Sequence, residues 1–148
     1  MDDTELRTRV GVADLLASYQ YFVDAGKIRT VSQLFTEDAV FKNDAEEHVG
    51  PDGVLAFFMS VKDSFINSGV MPGRHYLSSI RVDPRPDGSA STYSCFQFIG
   101  SRGLDHWGTY RDEVVPVGDG WKFQRREAML DGYAAGSPVI VLGLGSEA

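Results

Sequence analysis

The run RHYLSSIRVDPRPDGSASTYSCFQFIG, Arg74 to Gly100, decides the fold. Two stretches rich in Val, Ile, Tyr, Phe and Thr flank Pro86-Asp87-Gly88, which is the composition of two strands joined by a tight hairpin. The pattern continues downstream. DHWGTYRDEVVPV (105–117) and GWKFQRREAML (120–130) read as two further strands, reached through Ser101-Arg102-Gly103 and Gly118-Asp119-Gly120. The second half of the chain is therefore predicted to be an antiparallel meander.

Upstream the period changes from two to 3.6. Asp3 or Thr4 is placed to cap a helix starting near Glu5, whose acid suits the helix dipole. Leu6, Val10, Ala13, Ala17 and Tyr21 share one face of this helix, and Val12, Leu15, Tyr19 and Phe22 form a second apolar strip. Gly26 ends it. A short second helix is expected over 28–35, a turn at Thr36-Glu37-Asp38 and a strand over 39–43. The polar segment DAEEHVG (44–50) leads to Pro51, suited to the first turn of a third helix that carries Val54, Leu55, Phe57, Phe58, Val61 and Phe65. Gly69 and Pro72-Gly73 break that helix. Helices first and a meander afterwards predict an α+β fold with the helices on one face of the sheet. No repeat or linker divides the 148 residues, so one domain is expected, with its core at about 5–130 and an apolar, glycine-broken tail at 131–148. That tail is expected to cover an opening or to pack against another subunit.

Composition narrows the function. The net charge of −7, from 21 acidic against 14 basic side chains, disfavours nucleic acid and anionic membranes as partners. The single cysteine, Cys95, excludes an internal disulfide and reads as a small core residue. No Cys/His spacing suggests a metal, and GSRGLD (100–105) lacks the strand–GxGxxG–helix context of a dinucleotide site, so no cofactor is expected. The polar start MDDTELRTRV carries no leader pattern, and a cytoplasmic, soluble protein is expected.

Asp24 stands out because it joins an apolar helical pattern in the last turn, where both burial and the helix dipole disfavour an anion. It either points into water at a fraying helix end or serves a site. His75 begins the first long strand. A carboxylate against an imidazole fixes its tautomer and stabilises its protonated form, as a general base requires. Of the other histidines, His48 lies in an acidic loop and is expected to be solvated, while His106 either reaches the interior or stacks outside. Tyr19, five residues before Asp24, is suited to donating a phenol to a substrate oxygen. Asn43, Phe57, Tyr93, His106 and Arg111 are either partners in a mixed core or contacts to a bound molecule.

The ordered set YFVDAG, VSQLFTEDAVF, GPDGVLAFF, RHYLSSIRV, GTYRDEVV and DGWKFQRRE resembles the SnoaL-like branch of the nuclear transport factor 2-like superfamily. The resemblance implies a cone: a strongly curved, mostly antiparallel, cystatin-like sheet wrapped around N-terminal helices, with a deep apolar pocket. Scytalone dehydratase, hexachlorocyclohexane dehydrochlorinase and bile-acid 7α-dehydratase share an Asp at the end of the first helix and a His opening the corresponding strand, which Asp24 and His75 match. In that group the His removes a proton, the Asp charges and holds it, and a leaving group departs from the next carbon. Tyr19 matches a Tyr of the bile-acid enzyme.

Two positions depart from the scytalone enzyme: Val23 replaces its Tyr, and the strand around Cys95 and Phe96 lacks its second histidine. Arg111 and Arg125 are the candidates for the arginine that assists the other two enzymes. The acidic residue of a ketosteroid-isomerase layout would have to be Asp105, Asp112 or Glu113. What the resemblance implies is a cofactor-independent lyase or isomerase for a small cyclic, largely apolar molecule. The alternatives are a ligand-binding module, an oxygenase small subunit or a polyketide cyclase. It also implies self-association as a dimer or trimer.

Overall fold

A computed structural model describes residues 1–140. Helix α1 (Asp3–Asp24) leads through α2 (Ile28–Ser32) to strands β1 (Phe35–Lys42) and β2 (Glu47–Val49), helix α3 (Gly50–Ile66) and four long strands. These are β3 (Arg74–Pro84), β4 (Ala90–Gly100), β5 (Gly103–Val117) and β6 (Gly120–Tyr133), followed by one turn of 3-10 helix, Pro138–Ile140. A single unclosed sheet runs in the order β2-β1-β6-β5-β4-β3. The meander β3 to β6 is antiparallel throughout, and β1 joins β6 in parallel. The α+β, NTF2-like and cystatin-like architecture stands as expected. Gly88 and Gly103 adopt positive φ in the first two hairpin turns, a backbone region that side chains resist.

Several local expectations fail for identifiable reasons. The helix cap is Asp2, whose carboxylate accepts from the Glu5 N–H at 2.8 Å. Of the two apolar strips on α1, only the second is buried: Val12, Leu15 and Tyr19 enter the core and Phe22 packs partly buried against it. Leu16 joins them from outside both strips, while Leu6, Val10 and Tyr21 face outward. The sheet covers one side of α1, so one strip is left over. Helix α2 stops at Ser32, and Thr36-Glu37-Asp38 lies within β1 rather than in a turn. Strand β1 pairs with β6 on either side of these three residues, at Phe35↔Phe123 and again from Val40↔Arg125, with an irregularity between. The polar 44–50 segment supplies β2 at its end.

Helix α3 carries Pro51 in its first turn as expected and closes the open mouth of the sheet. Its apolar positions recur at helical spacing, so Phe57, Phe58, Val61 and Phe65 share the inward face. Past β6 the chain turns back, and Val139 is buried against the interior. The tail therefore contributes to covering the cavity; its remainder, 141–148, lies outside the described residues.

Two irregularities in the sheet position side chains that matter below. Between Phe98↔His106 and Ile99↔Leu104 the β4–β5 register slips, leaving Asp105 as an extra residue, so Asp105 and His106 are both buried. Between Val114↔Phe123 and Glu113↔Arg125 the β5–β6 register slips again, and Gln124 is the extra residue. That bulge turns Arg126, rather than Arg125, to the inside.

Candidate functional site

The concave side of the sheet, α1 and α3 enclose a cavity of about 250 Å³. Phe41, Phe58, Phe65, Phe96, Phe98 and Tyr110 are among the residues that line it. Asp24 reaches it from the end of α1 and His75 from the start of β3. Nδ1 of His75 lies 2.7 Å from Oδ1 of Asp24, and the backbone N–H of His75 donates to Oδ2 of the same carboxylate at 3.1 Å. One carboxylate thus grips both the ring and the main chain, which fixes the ring's position and rotamer. Both side chains remain partly accessible, at 14% and 17%. The His75 ring packs edge-on to Phe98.

A second histidine, His106, lines the same cavity and is paired with a carboxylate behind it. Nδ1 of His106 lies 2.7 Å from Oδ2 of Asp105, and the hydroxyl of Ser137 donates to that oxygen at 2.6 Å. The His106 ring stacks on Phe98 and meets Phe65 and Phe96. Burial among these rings pushes the His106 pKa below its ordinary value, against the opposing pull of Asp105. The centroids of the two histidine rings are 5.9 Å apart.

Below the cavity floor a cation is fully buried. The Arg126 guanidinium carbon lies 3.7 Å from the centre of the Tyr110 ring, 4.1 Å from Tyr19 and 4.5 Å from Phe123. Its Nε is 3.6 Å from Oδ1 of the buried Asp112, and among the described residues its nitrogens have no hydrogen-bond partner. Ring faces therefore replace hydrogen bonds as its main solvation. Burial raises the Asp112 pKa, opposed by Arg126 and by the 2.7 Å hydrogen bond from Thr92. Burial also pushes the Tyr110 phenol up to about 12 and the Tyr19 phenol well above its usual value, with Arg126 pulling both down. At neutral pH both phenols are hydrogen-bond donors.

The sequence model of the SnoaL-like domain matches residues 4–127. The chain belongs to the SnoaL-like family. Its solved structural neighbours include a scytalone dehydratase candidate from Novosphingobium aromaticivorans, 24% identical, covering 90% of this chain and 91% of the other with a TM-score of 0.77. An aromatic ring hydroxylase candidate from the same species is 27% identical, with 86% and 91% covered and a TM-score of 0.70. LinA is 17% identical, with 90% and 93% covered and a TM-score of 0.72. No curated sequence matches.

Within this SnoaL-like cavity the structure brings together six of the eight residues singled out from sequence: Asp24, His75, Tyr19, Asn43, Phe57 and His106. Asn43 is buried, and its carbonyl oxygen accepts from the backbone N–H groups of Ala45 and Glu46, shaping the β1–β2 turn. Tyr93 and Arg111 are corrected. They face each other across β4 and β5 on the outer side of the sheet, with the guanidinium 5.3 Å from the ring centre, and do not line the cavity.

Cys95 shares that outer side, half-buried beside the Tyr93 hydroxyl, and is no core residue. Arg125 pairs with Glu47 and Glu127 instead of entering the site. His48 is not solvated: its ring packs on Phe57 and Phe41, with its side chain only 15% accessible. Sequence reasoning passed over Arg126 and left Asp105 and Asp112 without an inward signal, because all three orientations depend on bulges or on strand phase. Among the described residues no group of three or more His, Cys, Asp and Glu side chains converges as a metal ion requires, and no helix is long and apolar enough to cross a membrane.

Proposed function

We propose that this protein is a cofactor-independent lyase or isomerase acting on a small cyclic, largely apolar molecule through histidine–aspartate acid–base chemistry. The observation that carries the reading is the 2.7 Å contact between His75 Nδ1 and Asp24 at the wall of an aromatic cavity. A carboxylate only accepts, so Nδ1 carries a hydrogen and Nε2 presents the lone pair. That nitrogen takes a proton from a substrate carbon next to an activating group, and Asp24 offsets the charge formed on the ring. The pair of electrons left behind expels a group from the neighbouring carbon in a lyase, or is reprotonated elsewhere in an isomerase.

The floor supports negative charge developing on a substrate oxygen. Tyr19 presents a phenol there, and Arg126 behind its ring favours an anion in front of it. Asn43 and His106 are further contacts. At about 250 Å³ the cavity lies just below the roughly 300–1,000 Å³ typical of ligand sites, which suits a molecule of one or two rings.

The test is deuterium exchange and turnover across a panel of one- and two-ring alcohols and ketones in heavy water, followed by mass spectrometry. The wild type is expected to exchange or eliminate on at least one member, with His75→Gln and Asp24→Asn slower by roughly 10²- to 10⁴-fold. Undiminished rates in both variants would sink the mechanism. Binding without exchange or turnover anywhere in the panel would make the protein a ligand-binding module instead.

A further inference from the structure

The Asp105–His106–Ser137 cluster has a role that the His75 chemistry leaves open. The Asp105 carboxylate accepts from Ser137 and from Nδ1 of His106 through the same oxygen, so the hydrogen on that ring is held at Nδ1. The ring lies against Phe98, Phe65 and Phe96 and is 5% exposed. Such surroundings disfavour a cation, and the neighbouring His75 opposes a second positive charge. The titratable groups around the ring are Asp105, His75 and, through His75, Asp24. Neutral His106 therefore presents a bare Nε2, and among the described residues no donor reaches it. An acceptor in an aromatic wall is costly to cover with an apolar ligand and favourable to cover with a donor.

We propose that His106, held by Asp105 and Ser137, is a hydroxyl-binding subsite, so that the substrate is a hydroxylated ring whose O–H donates to Nε2 of His106. The subsite rests on the cavity described above and deepens the acid–base reading by naming a substrate class, without depending on what His75 does. A ring whose hydroxyl meets His106 places a carbon one or two bonds away within reach of His75, because the imidazole centroids are only 5.9 Å apart. Ser137 brings the chain beyond β6 into the same cluster, and Val139 lies in the adjoining wall, so this end of the chain helps to form the subsite.

The test is a binding comparison between p-cresol and p-xylene, which differ by a hydroxyl in place of a methyl. Calorimetry is expected to show wild-type protein preferring p-cresol by roughly tenfold. His106→Phe keeps a flat ring against Phe98 and is expected to lose that preference, whereas His75→Gln keeps it. In long-range nitrogen–proton spectra of the wild type, Nε2 of His106 is expected to read as unprotonated and to shift with p-cresol but not with p-xylene.

Equal affinities in the wild type, or a preference that survives His106→Phe, would overturn the subsite. So would a protonated Nε2 in the free protein at neutral pH, a result that decides the matter even if His106→Phe does not fold. None of these readouts uses turnover, so a failed exchange assay and a failed subsite are separate results.

Discussion

Arg126 lies beneath Tyr110 with its guanidinium carbon 3.7 Å from the ring centre, and neither side chain is open to bulk solvent. Tyr110 turns its other surroundings toward the cavity, stacking on Phe96 and accepting from the Gln20 amide at 3.4 Å. A positive charge is thereby stored one layer behind the wall that a substrate touches. Arg126 is not itself among the residues that line the cavity, and the buried Asp112 carboxylate lies 3.6 Å from its Nε.

Arg126→Met is expected to destabilise the protein by about 3–5 kcal/mol, because it strands Asp112 in a dry interior without its counter-charge. The double variant Arg126→Met/Asp112→Asn removes both charges and should recover much of that loss. Urea unfolding of the three proteins measures the difference. A single-variant cost below about 1 kcal/mol would mean that the ion pair is not what holds this corner together.

Gly73 sets the position of Phe98. A methyl group at residue 73 would come within 2.7 Å of Cε1 of Phe98 and closer still to Cζ, and Phe98 stacks in turn on His106. Gly73→Ala is therefore expected to cost about 1–3 kcal/mol through overpacking and to push the Phe98 ring against His106, weakening ligand binding. Thermal unfolding and a p-cresol titration test the two halves. Unchanged affinity with reduced stability would show that the backbone, not Phe98, absorbs the added methyl.

What the sequence made legible follows its regular parts. Alternation and glycine turns located β3 to β6, and helical spacing located α1 and α3, because in those segments local preference and burial agree. That Asp24 and His75 meet was implied only by the family resemblance, since the helical pattern alone left Asp24 either in water or at a site. Orientation was lost wherever a bulge changes phase. Strict alternation from Phe123 turns Arg125 inward, and the extra residue Gln124 gives that place to Arg126. Likewise Asp105 and His106, adjacent in sequence, should point to opposite faces of a regular strand, and the slip beside Ile99 buries both. On α1 two apolar strips competed, and only the position of the sheet decided between them.

Arg111 offers a control from the residues that the structure removes from the cavity. It lies on the outer side of the sheet over Tyr93, an exposed contact of the kind that contributes about 0.5–1 kcal/mol. Arg111→Ala is expected to lower stability by no more than that amount and to leave turnover and p-cresol binding as they are. A large loss of either would show that this outer side communicates with the cavity.

Acid stability is set in part by His106. Folding lowers its pKa below the ordinary value of 6.5, with burial as the main cause. Below pH 6.5 the unfolded chain consequently binds a proton at this residue that the folded protein resists. Unfolding free energy should therefore fall as pH drops from there to the folded-state pKa, and the His106 contribution should be constant above that window. His106→Phe removes the titrating group, so its stability curve is expected to be flatter than the wild type over that interval, while the two remain parallel at higher pH. Chemical denaturation at half-unit pH steps reads the slopes directly. Parallel curves throughout would mean that His106 takes up its proton as readily in the folded protein as in the unfolded chain, which is incompatible with a dry aromatic wall around its ring.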